Sequence, residues 1–136
     1  METINKKIGI FILNYNGVNW LQQTLPTLIK YSNEAEIIII DNNSNDNSIK
    51  YITTHFKSIE LKINKQNYGF SKGYNQILLK ENRFSYFIIM NNDVKVSKNW
   101  IPPLLKKITH KNIVIVQPKI KNLNKTNYFD YAGAAG

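Results

Sequence analysis

The segment EIIIIDNNSND at residues 36–46 decides the fold that we expect for this chain. Four consecutive isoleucines form a short apolar run, and a polar group of aspartate, asparagine and serine follows it directly. Continuous β-branched runs of this length are typical of strands that are buried on both faces, as in parallel sheets. We therefore predict a buried parallel strand with Asp41 at its carboxyl end.

Similar apolar runs recur along the chain, and segments with apolar residues at helical spacing separate them. The further predicted strands lie at residues 8–13, 61–63, 84–90 and 113–116. Alternating strands and helices indicate right-handed βαβ units. The predicted fold class is therefore α/β, with an open, mostly parallel sheet flanked by helices.

The first predicted helix has an apolar face that includes Trp20, Leu21 and Leu25. This pattern places Trp20 in the core. Pro26 falls within the same helix, and a proline there removes a backbone hydrogen bond and crowds the preceding turn. We therefore expect the helix to kink or restart at Pro26.

Length and composition indicate one globular domain over residues 1–136. The absence of cysteine excludes disulfides and thiolate metal sites. No apolar run approaches the 18 residues of a membrane span.

The net charge is +9, and residues 94–129 hold eight lysines and no acidic residue. This block favours phosphates, acidic lipids or nucleic acid as partners, although a solvated lysine-rich face is the simpler interpretation.

Polar clusters follow four of the apolar or loop segments, at residues 14–16, 41–46, 67–70 and 91–93. Any one of them could be only a turn, because Asn, Asp, Ser and Gly are turn residues. In open α/β sheets, however, ligands bind at the carboxyl ends of the strands. Four clusters on one edge of a sheet therefore predict a binding site rich in amides and carboxylates.

The order of these clusters resembles family 2 glycosyltransferases, which have the GT-A fold. The resemblance rests on ILNYN at 12–16, IDNNSND at 40–46, the N-x-G-F segment with a further asparagine at 67–75, and NND at 91–93. It extends from about residue 8 to 100, and more loosely to 136. Asn91, Asp93 and Trp100 together resemble the rhamnosyltransferase-like branch of the family.

The resemblance implies a set of donor-binding residues: Asn14, Tyr15, Asn16, Asp41, Asn43, Ser44, Asn67, Gly69, Asn75, Asn91, Asn92 and Asp93. Tyr15 would pack against the nucleobase, and Asp41 would accept a hydrogen bond from the imide of uracil or thymine. The segment 67–75 would close over the nucleoside, with Gly69 allowing close backbone approach.

Residues 91–93 would stand for the Asp-x-Asp element of the family. Asp93 would then coordinate a divalent cation, Mg²⁺ or Mn²⁺, that bridges the diphosphate of the donor. The chain departs from the family pattern because Asn91 replaces the first aspartate. One carboxylate can suffice where phosphate oxygens and water complete the coordination.

The implied activity is transfer of a sugar from a UDP- or dTDP-linked donor to a polysaccharide or glycoconjugate, with inversion. The acceptor would be a glycan or a lipid-linked molecule. The protein would be cytoplasmic and would lie at the inner face of the cytoplasmic membrane. Inverting transfer needs a general base. We expect that base beyond Gly136, so the catalytic residues are unknown and this chain would bind the donor without transferring the sugar.

Two other functions compete with this interpretation. The domain could be a non-catalytic nucleotide-binding module with a regulatory or scaffolding role. Nucleic-acid binding, driven by the positive charge, is the weaker alternative, because Arg83 is the single arginine and no nucleic-acid-binding motif is present. We therefore expect no nucleic-acid partner.

Overall fold

A computed structural model of the chain describes residues 7–131, and these fall into two units that divide after Ser97. The polar N-terminal residues 1–6 and the small-residue stretch 132–136 lie outside the described residues. The first unit contains four strands and three helices: β1 (Ile8–Asn14), α1 (Val18–Lys30), β2 (Glu36–Asp41), α2 (Ser48–His55), β3 (Glu60–Ile63), α3 (Phe70–Leu78) and β4 (Tyr86–Asn91).

The four strands form one parallel sheet in the order β3-β2-β1-β4. This arrangement confirms the predicted α/β class with a parallel sheet. In the register, Asn14 pairs with Asp41 and Leu13 pairs with Asn91. The polar residues that follow the strands are therefore brought to the same edge of the sheet.

The direction of the chain across the sheet reverses once. The chain runs outward from β1 through β2 to β3, and α3 then returns it to β4 on the other side of β1. Right-handed crossovers place helices on opposite faces of the sheet before and after such a reversal. The gap between β1 and β4 is thus the switch point of the topology, where open α/β sheets bind their ligands.

Apolar side chains from β1 and β2 fill the core on both faces of the sheet. On one face Phe11, Ile38 and Ile40 form a buried cluster with Tyr74 from α3 and with Phe84. The alternate strand residues are also buried, and α1 contributes buried leucines at helical spacing. Burial on both faces explains the uninterrupted apolar runs in the sequence of these two strands.

The edge strand β4 differs from the two central strands. Its side chains alternate between half-buried and exposed, and Phe87 and Ile89 are 41% and 53% exposed. The sequence pattern alone did not distinguish it, because its apolar run is as continuous as that of β2. Position at the edge of the sheet, rather than composition, determines its burial.

The structure corrects two points about α1. The helix continues through Pro26 from Val18 to Lys30, so it does not restart there. Trp20 is 47% exposed, whereas Leu21 and Leu25 are fully buried. One turn of helix advances by 3.6 residues, so adjacent positions diverge by about 100° and Trp20 falls at the border of the buried face.

The second unit contains α4 (Ile101–Ile108) and an antiparallel pair, β5 (Ile120–Lys121) and β6 (Phe129–Tyr131). The strand predicted at residues 113–116 does not form, and Val114 and Ile115 are each 82% exposed. A strand needs a ladder partner for its backbone groups. Within the described residues, segment 113–116 has none, so its β-branched composition alone does not make it a strand.

Replacing Pro26 with alanine should stabilise the first unit. Alanine restores a backbone N–H inside a helix that is continuous through this position, and we expect a gain of about 1–3 kcal/mol in the free energy of unfolding. Urea denaturation followed by circular dichroism measures this change. Pro102 lies in the first turn of α4, where its missing N–H costs little. Pro102→Ala is therefore the control, and an equal effect of both substitutions would contradict this explanation.

Candidate functional site

An open cavity of about 360 Å³ lies at the carboxyl ends of the strands. Its walls come from the segments that follow β1, β2 and β4 and from the start of α3. Nine residues line it: Leu13, Tyr15, Asn42, Asn67, Gly69, Phe70, Asn91, Asn92 and Asp93. The cavity thus lies where the topology of the sheet predicts a ligand site, and its size falls within the range of small-molecule pockets.

A buried amide, that of Asn14, joins three loops beneath this cavity. Its Nδ2 donates to Asp41 Oδ2 at 2.8 Å and to Ser44 Oγ at 3.3 Å. Its Oδ1 accepts a hydrogen bond from Asn92 Nδ2 at 2.8 Å. Asn14 is fully buried, and each of its polar atoms has a partner. The side chain therefore fixes the ends of β2 and β4 relative to β1.

The carboxylate of Asp41 is fully buried and its oxygens are occupied by the protein itself. Oδ1 accepts from the Ser44 N–H at 2.7 Å, and Oδ2 accepts from the Ser44 hydroxyl at 2.8 Å as well as from Asn14. Buried charge requires such compensation. The structure does not bring Asp41 to the cavity wall, so it does not present Asp41 for the direct contact with a nucleobase that we expected.

The loops after β1 and β2 are held together by a second set of hydrogen bonds. Asn16 donates its N–H to Ser44 Oγ and accepts at Oδ1 from the N–H of Asn45 at 2.9 Å. The Asp46 carboxylate accepts from the N–H of Val18 at 3.0 Å and from that of Ser48 at 2.8 Å. Asp46 therefore satisfies free N–H groups at the starts of α1 and α2. These contacts position both helices against the site.

Asn42 lies next to Asp41 but lines the cavity. Its Nδ2 donates to Asn67 Oδ1 at 3.1 Å and to the Gly69 carbonyl at 2.9 Å. Its Oδ1 accepts from Asn64 Nδ2 at 2.9 Å. Gly69 itself has a φ of +73°, a conformation that favours glycine. The amide of Asn42 thus attaches the segment before α3 to the end of β2.

The segment after β4 contributes Asn91, Asn92 and Asp93 to the cavity. Asn92 is anchored twice, through its side chain to Asn14 and through its carbonyl, which accepts from Thr24 Oγ1 at 2.9 Å. Asp93 is exposed, and its carboxylate makes no hydrogen bond or ion pair with the described residues. It is the one carboxylate among the described residues that line the cavity.

Carboxylate oxygens are suitable ligands for a hard divalent cation. Asp93 can therefore contribute one ligand, and the amide oxygen of Asn91 lies on the same wall. The described part of the chain contains no group of three or more His, Cys, Asp or Glu side chains that could hold a metal. A cation here would depend on oxygens from a ligand such as a diphosphate.

The structure brings half of the expected donor-binding residues to the cavity: Tyr15, Asn67, Gly69, Asn91, Asn92 and Asp93. The other half do not line it: Asn14, Asn16, Asp41, Asn43, Ser44 and Asn75. Three of these latter residues, Asn14, Asp41 and Ser44, support the wall from below through the hydrogen bonds described above. Asn75 is exposed farther along α3, and Asn43 is exposed with a φ of +65°.

Three lining residues are not among the named donor-binding residues: Leu13, Asn42 and Phe70, although the last two lie in segments that we expected at the site. The position of Asn42, directly after the last strand residue, was the available signal. Phe70 carried a different signal, because a large aromatic residue follows a glycine at the start of a helix. It is 60% exposed, and Tyr15 is 48% exposed. The cavity therefore has two accessible aromatic rings, which suit contact with a planar ring.

Three solved structures share this fold. PcManGT, a mannosyltransferase from Pyrobaculum calidifontis in complex with GDP-Man and Mn²⁺, has a TM-score of 0.68 and 13% identity over 80% of this chain and 34% of its own. S. aureus TarS in complex with UDP has a TM-score of 0.65 and 16% identity over 88% and 43%. GalNAc-T7 with UDP, GalNAc and Mn²⁺ has a TM-score of 0.67 and 22% identity over 81% and 22%.

These similarities define the class of the chain as a GT-A fold. The chain spans less than half the length of each of these three structures. The sequence profile of glycosyl transferase family 2 matches residues 9–133, and the chain belongs to this family. A search among curated proteins gave no match. No helix among residues 7–131 is long and apolar enough to span a membrane.

Gly17 is required by the hydrogen bond between Asn14 and Asn92. A Cβ at position 17 would overlap Asn92 Nδ2 and would lie 2.5 Å from Asn14 Oδ1. We expect Gly17→Ala to lower the free energy of unfolding by about 1–3 kcal/mol, because a packed region is overfilled. It should also shift the side-chain amide NMR signals of Asn14 and Asn92.

Gly69→Ala is the control for this prediction. A Cβ at Gly69 has no atom within 4 Å, so its cost of about 1–2 kcal/mol comes from the positive φ alone. The Asn14 and Asn92 signals should therefore stay unchanged in Gly69→Ala. Wild-type stability and unshifted amide signals in Gly17→Ala would show that the backbone relaxes and that the hydrogen bond does not depend on Gly17.

Proposed function

We propose that this chain binds the nucleoside-diphosphate sugar used by a glycosyltransferase of family 2. The observation that carries this proposal is the placement of Asp93 on the wall of the switch-point cavity, with its carboxylate free of partners in the described chain. The family match and the neighbours solved with GDP-Man, UDP or Mn²⁺ support it.

The walls of the cavity offer different chemistry to the two ends of such a donor. Tyr15 and Phe70 offer aromatic surface to a nucleobase. Asn67 and Asn91 offer amide groups to ribose or sugar hydroxyls. Asp93 would hold Mg²⁺ or Mn²⁺ against the diphosphate, where the cation would stabilise the departing nucleoside diphosphate. We prefer a uracil or thymine base in the donor, and the two neighbours solved with UDP support this choice.

Asp41 acts in this proposal as a support and not as a contact. Its carboxylate holds Asn14 and Ser44, and through Asn14 it also holds Asn92. Removing the carboxylate would leave buried donors without acceptors. Asp41 would thus affect donor binding through the position of the loop that carries Asp93.

The whole protein would transfer the sugar, with inversion, to a glycan or a lipid-linked acceptor in the synthesis of a cell-envelope polysaccharide. Asn91 and Asp93 carry the proposed relation to the rhamnosyltransferase-like branch. Among the described residues that line the cavity, Asp93 is the one carboxylate, and the cation would use it. We therefore assign donor binding to this chain and no catalytic base to the described residues.

Calorimetric titration with UDP, dTDP, GDP and ADP, with and without Mn²⁺, tests the proposal. We expect Mn²⁺-dependent binding of UDP or dTDP, weakened about 10- to 100-fold in Asp93→Asn, because a contact to a charged group is lost. Glu34→Gln is the matched control, since it removes one exposed negative charge outside the cavity. If Asp93→Asn leaves the Mn²⁺-dependent binding unchanged, the proposed role of Asp93 is refuted. If GDP binds more tightly than UDP and dTDP, the donor carries guanine and not uracil or thymine.

The lysine-rich region supports a second, independent element of the proposal. All eight lysines between residues 94 and 129 are exposed, and no acidic residue lies among them. We propose that they hold the protein against the anionic inner face of the cytoplasmic membrane, near a lipid-linked acceptor.

Vesicle sedimentation tests this membrane contact. The chain should bind vesicles that contain about 30% phosphatidylserine, which gives the surface a strong negative potential. It should not bind vesicles of phosphatidylcholine alone. Binding should fall steeply as salt rises, because the attraction is electrostatic. Replacing Lys106 and Lys107 together with glutamine should reduce it. Salt-independent binding, or equal binding to both vesicles, would contradict the proposal.

A further inference from the structure

The hydroxyl of Tyr74 forms hydrogen bonds with backbone groups of both β1 and β4. In a parallel pair, an N–H donates to the carbonyl of the residue before its paired residue. Leu13 pairs with Asn91, and the carbonyl of the adjacent Asn14 faces β2, where it accepts from Asn42. Leu13 therefore faces β4, and a regular ladder would join its N–H to the Met90 carbonyl.

The phenol of Tyr74 bonds to both of these backbone groups. Its hydroxyl accepts from the Leu13 N–H at 3.0 Å and donates to the Met90 carbonyl at 2.8 Å. Met90 is followed directly by Asn91, Asn92 and Asp93, which line the cavity. The hydroxyl therefore lies at the switch point, immediately before the segment that carries the free carboxylate.

The close approach of α3 to the strand ends allows these two hydrogen bonds. A Cβ on Gly73 would lie 2.9 Å from Asn42 Nδ2 and 3.0 Å from a methyl group of Leu13. The Gly73 carbonyl also accepts from Asn64 Nδ2 at 3.1 Å. Tyr74 is 3% exposed, and its burial raises the pKa of its phenol to about 12. The hydroxyl therefore keeps the proton that it donates to Met90 throughout the neutral range.

Tyr74 also contacts the wall of the cavity that α3 supplies. Its ring meets that of Phe70 edge-on, with centroids 5.2 Å apart, and Phe70 lines the cavity. One side chain thus touches three wall segments: Leu13 on β1, Met90 before the β4 loop, and Phe70 at the start of α3. This makes Tyr74 a link between the aromatic part of the site and the Asp93 part.

We infer that Tyr74 is a positioning residue for donor binding, which sets the spacing of β1 and β4 at the cavity and so the place of Asp93. This inference rests on the proposed function for its consequence, and on the two hydrogen bonds of the hydroxyl for its geometry. Without the hydroxyl, the Leu13 N–H and the Met90 carbonyl each lose a partner that joins β1, β4 and α3. We expect the segment 91–93 to move as a result.

The first experiment needs no nucleotide. In NMR spectra of the unaltered chain, the Tyr74 hydroxyl proton should exchange slowly and show a cross-peak to the Leu13 amide. In Tyr74→Phe, the amide signals of Leu13 and of residues 91–93 should shift, while those of α2 should not. A missing hydroxyl cross-peak, or unshifted signals at residues 91–93, would overturn the inference whatever the chain binds.

The second experiment measures UDP affinity with and without Mn²⁺ in a double-mutant cycle. Tyr74→Phe should weaken binding with Mn²⁺ by roughly 3- to 30-fold, and should change it by less than about twofold in the Asp93→Asn background, because the two residues act through one contact. Binding without Mn²⁺ should change little. Equal losses in both backgrounds, with and without Mn²⁺, would mean that Tyr74 acts only on stability.

Ile52→Val is the matched control for stability, because Ile52 is buried in α2 and does not line the cavity. It should lower the unfolding midpoint without a selective loss of the Mn²⁺-dependent affinity. If the unaltered chain binds none of the nucleotides tested, the proposed function fails. The NMR comparison still decides whether Tyr74 positions residues 91–93.

Discussion

The arrangement of the site depends on one buried amide, that of Asn14. A buried polar group without partners is costly, so a fully buried asparagine at the end of a central strand must be satisfied on all sides. Its partners come from the ends of the two strands that flank β1, namely Asp41 with Ser44 on one side and Asn92 on the other. The requirement for these hydrogen bonds fixes three loops at once, and Gly17 leaves the space that they need.

Above this buried layer lies a second layer with a different character. The lower layer satisfies its own polar atoms, and Asp41 is the example, with both oxygens occupied. The upper layer has accessible groups, among them Tyr15, Phe70 and Asp93. A rigid lower layer that supports a small number of free groups is a suitable arrangement for ligand binding, because the groups that meet the ligand are already in place.

Structures of 13–22% identity share this fold, and their bound nucleotides differ between GDP-Man and UDP. A shared fold therefore does not determine which nucleotide is bound, and any such choice depends on the side chains at the cavity. In this chain six of the nine lining residues are uncharged and lie outside segment 91–93: Leu13, Tyr15, Asn42, Asn67, Gly69 and Phe70. Tyr74 adds a restraint that operates from within the sheet.

The sequence by itself determined the strands β1 to β4, the parallel α/β class and the four polar clusters at one edge, because continuous β-branched runs and the polar residues that end them are local features. It did not reveal which of Asp41 and Asp93 would be buried, because both lie at or near the end of an apolar run. Only the tertiary structure decided that Asp41 is enclosed between neighbouring loops and that Asp93 is free, because burial depends on which strands become neighbours. The same reason explains the hydroxyl of Tyr74, whose partners Leu13 and Met90 are distant from it in the chain.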